Sequence, residues 1–389
     1  MTMIDMVNIM KKAPRNLGLY IHIPFCKTKC LYCDFCSFVS RDELQRENYV
    51  CTLLREIEAR GTKDYLVDTV YFGGGTPSLL TVEQISRILS AIRENFVLDD
   101  GVEITLECNP MTHLVDGKEY FSSLKALGVN RLSIGIQSAI DHELKLIGRR
   151  HSFEEAKATF FASREAGFDN VSVDLMFGIP SQTIDSLEQS VRLLLQLDAE
   201  HISIYSLQVE EGTPLYRMRE KYDIADDDLV ADMYERVVTL MREGGYEHYE
   251  ISNFAKTERR SRHNSKYWRL EEYIGLGLAA HSDFLGKRSE NTCDMGDYLL
   301  GKWLDNESEI SPLEREFEFL MLGLRTVDGI SKNEFFNRFG IDFDEKYGKR
   351  VEKYIKMGYF CEKGDNISLS EAGFELSNSI LTDILDFDY

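Results

Sequence analysis

The chain has no apolar run approaching the ~18 residues that a membrane-spanning helix needs, and it has no low-complexity tract. Its first residues, "MTMIDMVNIMKKAPRN", offer neither a long apolar core nor a small-residue cleavage site, so a secretory leader is not expected. Positive charge is scarce: 45 Lys and Arg stand against 66 Asp and Glu in 389 residues, a formal net charge of −21. Such a surface repels phosphate backbones at long range, and no basic run is large enough to offset it. Nucleic acid is therefore not an expected partner. A cytoplasmic protein is expected, with peripheral contact the one membrane association left open. Cysteine is scarce too, yet four of the eight crowd into the eleven residues "CKTKCLYCDFC", from Cys26 to Cys36. Where thiols stay reduced, a disulfide framework is a poor account of such crowding, and metal binding or catalysis a better one.

Short apolar runs rich in β-branched and aromatic residues recur along the chain. They are "LGLYIHIPF" from Leu17, "DTVYFGGG" from Asp68, "VEITLECNP" from Val102, "NRLSIGIQS" from Asn130, "NVSVDLMFGIP" from Asn170 and "HISIYSLQ" from His201. Between them lie segments with apolar residues at helical spacing, such as "TVEQISRILSAIREN" and "TIDSLEQSVRLLLQL". This alternation predicts an α/β fold with a parallel sheet, either doubly wound or a partial (β/α)6 barrel. Polar and glycine-rich features gather after each run, at its carboxyl end: the cysteine loop, "GGGTPS", Glu107, Gln137, "FGIP" and Gln208. A barrel uses that face for its site, whereas a doubly wound sheet concentrates it at one switch point, so the barrel is expected. The pattern changes near Asp283. A domain spanning 1–283 and a helical, winged-helix-like domain spanning 284–389 are expected. The acid charge favours a packing or lid module over DNA binding for the second.

The cysteine spacing is C-x3-C-x2-C, with Cys36 following the third after two intervening residues. Structural zinc takes four ligands, usually from two separated hooks, so one tight loop makes a poor tetrahedral clamp. An iron–sulfur cluster accepts clustered thiolates readily. With three ligands supplied, one iron stays open to a substrate or cofactor. Zinc and an unligated grouping remain alternatives on spacing alone. "GLGLAA", Gly275 to Ala280, satisfies a dinucleotide fingerprint but opens no βαβ unit, so a close turn at the barrel rim is expected. His22 reads as a packed strand residue.

C-x3-C-x2-C after one strand and "YFGGGTPS" after the next resembles the radical S-adenosylmethionine (SAM) superfamily. That resemblance implies a 4Fe–4S cluster on Cys26, Cys30 and Cys33, with SAM chelating the open iron and an electron donor supplying the reducing equivalent. "ECNP", "NRLSIGIQS", "IGRRHS", "VDLMFGIPSQT" and "YSLQVEEGTPLY" then follow the order of the oxygen-independent coproporphyrinogen III oxidase family, covering nearly the whole chain. Carried over by position, the family's SAM contacts fall on Tyr20, Gly74, Gly75, Thr76, Glu107, Gln137, Arg149 and Asp174. The glycines suit backbone that must approach a cofactor and expose its polar groups. Within the family the dehydrogenases resemble C-x3-C-x2-C-x-C. Here their fourth cysteine position holds Phe35, as in the haem-chaperone branch, and Cys36 is expected to be a bystander. "RHNSKYW" matches that branch's H-N-x-x-Y-W signature, which implies that His263 helps hold haem. The resemblance thus implies a protein that binds haem as cargo and delivers it to apoproteins. The alternative is decarboxylation of coproporphyrinogen III to protoporphyrinogen IX.

Overall fold

The computed structural model describes residues 15–40, 42–110, 112–113 and 116–385. The expectation that no leader precedes the fold concerns residues 1–14, outside the described residues. Six parallel strands follow one another across the sheet in chain order: β1 (Arg15–Ile23), β2 (Tyr65–Gly74), β3 (Val97–Cys108), β4 (Arg131–Gln137), β5 (Val171–Phe177) and β6 (His201–Ser206). They coincide with the six apolar runs. Sequential order without reversal is the winding of a barrel, since a doubly wound sheet would turn back at a switch point.

Crossover helices join the strands: α1 (Glu43–Arg60), α2 (Val82–Asn95), α3 (Gly117–Ala126), α4 (Phe153–Glu165) and α5 (Ile184–Leu195). Local chemistry starts several of them. Thr81 with Gln84, Ser152 with Glu155 and Thr183 with Ser186 form reciprocal caps at the starts of α2, α4 and α5. One stripe of each helix then packs on the sheet. On α2 it is Ile85, Ile88, Leu89 and Ile92, and on α5 Leu187, Val191 and Leu194. Each such side chain contributes roughly 1.5–3 kcal/mol through burial.

Beyond the six units the sheet grows to twelve strands. At one end, after α6 (Asp227–Glu243), β7 (Glu247–Glu250) and β8 (Asn253–Ala255) add antiparallel beside β6, and α7 (Arg262–Trp268) follows them. At the other, β9 (Tyr273–Leu276) runs parallel to β1, and β10 (His281–Phe284), β11 (Lys287–Asn291) and β12 (Leu304–Glu309) extend it antiparallel. The two edges do not pair, so the barrel is incomplete. "GLGLAA" forms the turn from β9 to β10. Gly277 there has φ +106°, and a Cβ on it would sit 2.6 Å from the His22 carbonyl oxygen, which explains the glycine.

The sheet continues past Asp283 as far as Glu309, and a second apolar core begins near Phe319. That core holds α8 (Pro312–Gly323), α9 (Lys332–Phe339), α10 (Phe343–Lys356) and α11 (Ser377–Leu385) around a small sheet of Ile330–Ser331, Phe360–Lys363 and Asn366–Leu369. Three helices, a hairpin and a closing helix make a winged-helix-like unit. No helix among the described residues is long and apolar enough to cross a membrane.

Candidate functional site

The loop after β1 is fastened at both ends and in the middle. His22, 6% exposed, bonds Tyr20 Oη through Nδ1 at 3.1 Å and the Cys36 carbonyl through Nε2 at 2.9 Å. Nε2 donates to that carbonyl, so Nδ1 accepts from the tyrosine. Ser40 N donates to the Cys26 carbonyl at 3.1 Å and Phe38 N to the Pro24 carbonyl at 2.7 Å. Leu31 and Tyr32, between the second and third cysteines, pack on a satellite core of Ile147, Met176, Ile179, Leu207 and Leu215. Leu31 N also donates to the Ile147 carbonyl at 3.0 Å. Cys26, Cys30 and Cys33, with Tyr32, line one cavity of about 530 Å³ at the carboxyl ends of the strands. Cys36 is not on its wall; its Sγ lies 3.9 Å from the Cys293 carbonyl oxygen. Geometry thus sets Cys36 apart from the other three cysteines of the loop.

The same cavity collects Gly74, Gly75, Thr76, Glu107, Gln137, Arg149 and Asp174. Tyr20 is not on its wall; it stacks on Tyr71, which is, with centroids 6.3 Å apart. The glycines behave differently from the expectation that they would offer backbone N–H groups to a cofactor. Gly74 N donates to Glu107 Oε2 at 3.2 Å, Gly75 N to the Ile23 carbonyl at 2.9 Å and Thr76 N to the Phe25 carbonyl at 2.7 Å. The Gly75 and Thr76 donors clamp the end of β2 to the start of the cysteine loop, and the Gly74 donor ties it to β3. What glycine supplies is closeness: a Cβ on Gly75 would meet the Phe25 oxygen at 2.7 Å.

The wall is polar and unsatisfied in ways that suit a charged ligand. Thr76 Oγ1 donates to Cys26 Sγ and Arg149 Nη1 to Cys30 Sγ, both at 3.6 Å. Burial pushes the Cys26 thiol up from its ordinary value, and the Thr76 donation opposes that rise. Arg131 Nε, Arg149 Nε and Asn253 Oδ1 are buried on this wall without a hydrogen-bond partner. Burial pushes the Glu107 carboxyl up to about 7, and the Asp174 charge adds to the rise. Burial likewise lifts Asp174 to about 6, against the Ser133 hydroxyl and the Arg131 and Arg149 charges. Two carboxyls whose charge is costly would ionise more readily beside a cation such as a sulfonium or ammonium. Cysteines with sulfur-directed donors, unpaired guanidinium nitrogens and cation-seeking acids together fit a 4Fe–4S cluster with SAM. No three His, Cys, Asp or Glu among the described residues gather closely enough to hold a single metal ion.

His263, expected to help hold haem, is buried among strand and helix side chains. It is 1% exposed and off the cavity wall, with Nδ1 bonded to Thr69 Oγ1 and Nε2 to Tyr267 Oη, each at 2.9 Å. Burial, with the Lys266 and Arg131 charges, lowers its pKa to about 3. Both ring nitrogens are engaged, so iron could reach neither without breaking a buried hydrogen bond. From "RHNSKYW", Asn264 is the residue on the cavity wall.

Sequence reasoning passed over Arg131, Ser133, Tyr71 and Tyr205, all on the wall. A signal was there for β4. In "RLSIGIQ", Arg131, Ser133, Gly135 and Gln137 alternate with Leu132, Ile134 and Ile136, and the first set faces the cavity. Gln137 ends that strand at φ +74°, beside a register shift, with Tyr205 Oη donating to its Oε1 at 2.8 Å.

Comparison with known proteins agrees with this geometry. Residues 20–194 match the family described as "Radical SAM superfamily", and residues 310–376 match the "HemN C-terminal domain". The fold resembles coproporphyrinogen III oxidase (HemN) from Escherichia coli, with a TM-score of 0.84 and 21% identity, covering 100% of this chain and 94% of that one. The chain is a radical SAM protein with a partial barrel and a helical C-terminal unit. It is 33% identical to "Heme chaperone HemW" of Haemophilus influenzae over 96% of this chain and 98% of that protein. To the protein of the same name in Bacillus subtilis it is 36% identical, over 93% and 97%. The chain belongs to the HemW family.

Proposed function

We propose that the protein binds haem and passes it to apoproteins, with a 4Fe–4S cluster on Cys26, Cys30 and Cys33 and SAM in the adjoining cavity. The observation that carries this reading is Phe35. It stands where the related dehydrogenases have a fourth loop cysteine, on the cavity wall and 58% exposed. The near-full-length similarity to proteins named heme chaperone supports it. In this reading Gly74, Gly75, Thr76, Glu107, Gln137, Arg149 and Asp174 surround SAM, and Tyr20 backs Tyr71. Cluster and SAM supply one-electron reductive chemistry when bound. The chain's part is to exclude water, to set guanidinium charge near Cys30, and to hold Glu107 and Asp174 ready to ionise against a cation. We read His263 as a brace between β2 and Tyr267 rather than an iron ligand.

The partners in this reading are haem, its recipient apoproteins and an electron donor, in the cytoplasm and without nucleic acid. The division between the two units is proposed at about residue 310, where the second family match begins. The test is an anaerobic assay of the reconstituted protein with coproporphyrinogen III, SAM and reductant, run beside a haem titration. Saturable haem binding without turnover is expected. Appearance of protoporphyrinogen IX would replace the carrier with the dehydrogenase.

A further inference from the structure

Besides the three proposed cluster ligands and the buried Cys108, the chain carries four free thiols: Cys36, Cys51, Cys293 and Cys361. The fold brings two of them together. Cys36 belongs to the cysteine loop, and Cys293 stands 257 residues further on, in the turn between β11 and the short helix Met295–Leu299. Cys36 Sγ lies 3.9 Å from the Cys293 carbonyl oxygen. A carbonyl oxygen is about 2.4 Å from its own Cα, which puts that sulfur within roughly 6.3 Å of the Cys293 Cα. Burial raises the Cys36 thiol above its ordinary value, and the charge of Cys293 is near enough to raise it further. Cys51, by contrast, has its sulfur against Glu47 and Arg87.

Both backbones are held in place. The Cys36 carbonyl is tied by His22, and beside Cys293 the Thr292 N donates to the Trp303 carbonyl at 2.7 Å and Asp294 N to Thr292 Oγ1 at 3.1 Å. Cys293 is exposed, Cys36 is half-buried, and neither lines the SAM cavity. We propose that Cys36 and Cys293 form a reversible disulfide that fastens the cysteine loop to the β11 turn when the protein meets a low-molecular-weight disulfide. The exposed Cys293 attacks the oxidant's S–S bond first, and its proton goes to the thiol that leaves. Cys36 then displaces the remaining thiol and gives its proton to that sulfur. Two protein thiols are oxidised to one disulfide, and the oxidant is reduced to two thiols. In the reducing compartment proposed above, such a bond is transient and redox-sensing, and one at an exposed cysteine is easily reduced again. It leaves Cys26, Cys30 and Cys33 free, yet pins the end of the loop that holds them. Iron leaves a cluster only when its loop opens, so the bond should slow that loss. The bond itself is independent of the cluster reading above, whereas its effect on iron rests on it.

The test treats anaerobic, cluster-loaded protein with oxidised glutathione and maps its cysteines by mass spectrometry without reduction. A cross-link between Cys36 and Cys293 is expected, reversed by dithiothreitol, with Cys26, Cys30 and Cys33 unpaired. Iron release to a chelator should then slow at least about threefold, because a cross-linked loop has fewer open conformations to visit. In Cys36→Ser and in Cys293→Ser the oxidant should leave the release rate unchanged. The cluster's visible absorption before treatment reports that each variant is folded and loaded. Glutathione adducts on Cys36 or Cys293 without the cross-link would overturn the proposal, as would pairing among Cys26, Cys30 and Cys33 in its place. A cross-link that leaves iron release unchanged would overturn the fastening of the loop. Native protein that takes up no iron on reconstitution would overturn the cluster reading, and the cross-link mapped on that same sample would still stand or fall by itself.

Discussion

Glu107 shows how one residue's burial becomes a property that can be measured. Its carboxyl accepts from Tyr71 Oη at 2.8 Å and Gly74 N at 3.2 Å, yet desolvation outweighs both and holds its pKa near 7. Between its unfolded value and 7 the folded protein keeps a proton that the unfolded chain releases. Stability of the ligand-free protein must therefore fall as pH rises through that window. Glu107→Gln keeps an acceptor for Tyr71 and abolishes the titration. Relative to the native protein, the variant should gain on the order of 2 kcal/mol between pH 5 and pH 8. Denaturant melts at the two pH values check this, and curves that shift in parallel would show that Glu107 does not titrate there. With SAM placed as proposed, its binding should weaken in the same variant, because a carboxylate on the cavity wall that could meet the ligand's positive charge is gone.

At the scale of an element, the cysteine loop owes its geometry to what surrounds it rather than to any regular structure of its own. "LY" between Cys30 and Cys33 packs on the satellite core, His22 ties the carbonyl of Cys36, and Gly75 and Thr76 hold the loop's start. Leu31→Ala should cost about 1–2 kcal/mol of stability, below the roughly 2–5 kcal/mol of fully buried truncations because Leu31 is half-buried. Its larger effect should be on cluster content, since the anchor between Cys30 and Cys33, two of the proposed ligands, is lost. Iron per chain after anaerobic reconstitution measures it, and full iron loading would show that the loop holds its shape without that anchor. This fastening was not legible in the sequence. C-x3-C-x2-C and its place after a strand were, because ligand spacing and strand ends are local. Which cysteine turns away depends on Cys293, distant in the chain.

At the scale of the molecule, charge ties the two units together. Asp283 on β10, 4% exposed, accepts from Arg315 of α8 at 2.6 and 2.8 Å and from Arg288 of β11 at 3.0 Å. Arg288 in turn reaches Glu318 of α8 at 2.7 Å. At the far edge, Ile251 N donates to the Arg325 carbonyl at 3.2 Å and Val327 N to that of Tyr249 at 3.1 Å. Asp283→Asn leaves two arginines around a neutral amide and should destabilise the contact by about 1–3 kcal/mol, discounted because both arginines are partly solvated. Amide exchange should then rise across residues 312–385 before it rises in β1–β6. Uniform change over the whole chain would mean that the units unfold as one.

The six strands, their helices and the close spacing of Cys26, Cys30 and Cys33 could be read from the sequence alone, because alternation, helix caps and short spacing are properties of neighbouring residues. So could the face of the sheet that carries the site, since polar residues collect at the strands' carboxyl ends. Tertiary structure decided the rest. It placed Arg131 inside a cavity wall, engaged the glycine N–H groups within the protein, and enclosed His263 between Thr69 and Tyr267. It also carried the main sheet past Asp283 to Glu309. Each of these depends on a partner far away in the chain, and a motif records which residue is present but not which neighbour takes up its hydrogen bonds.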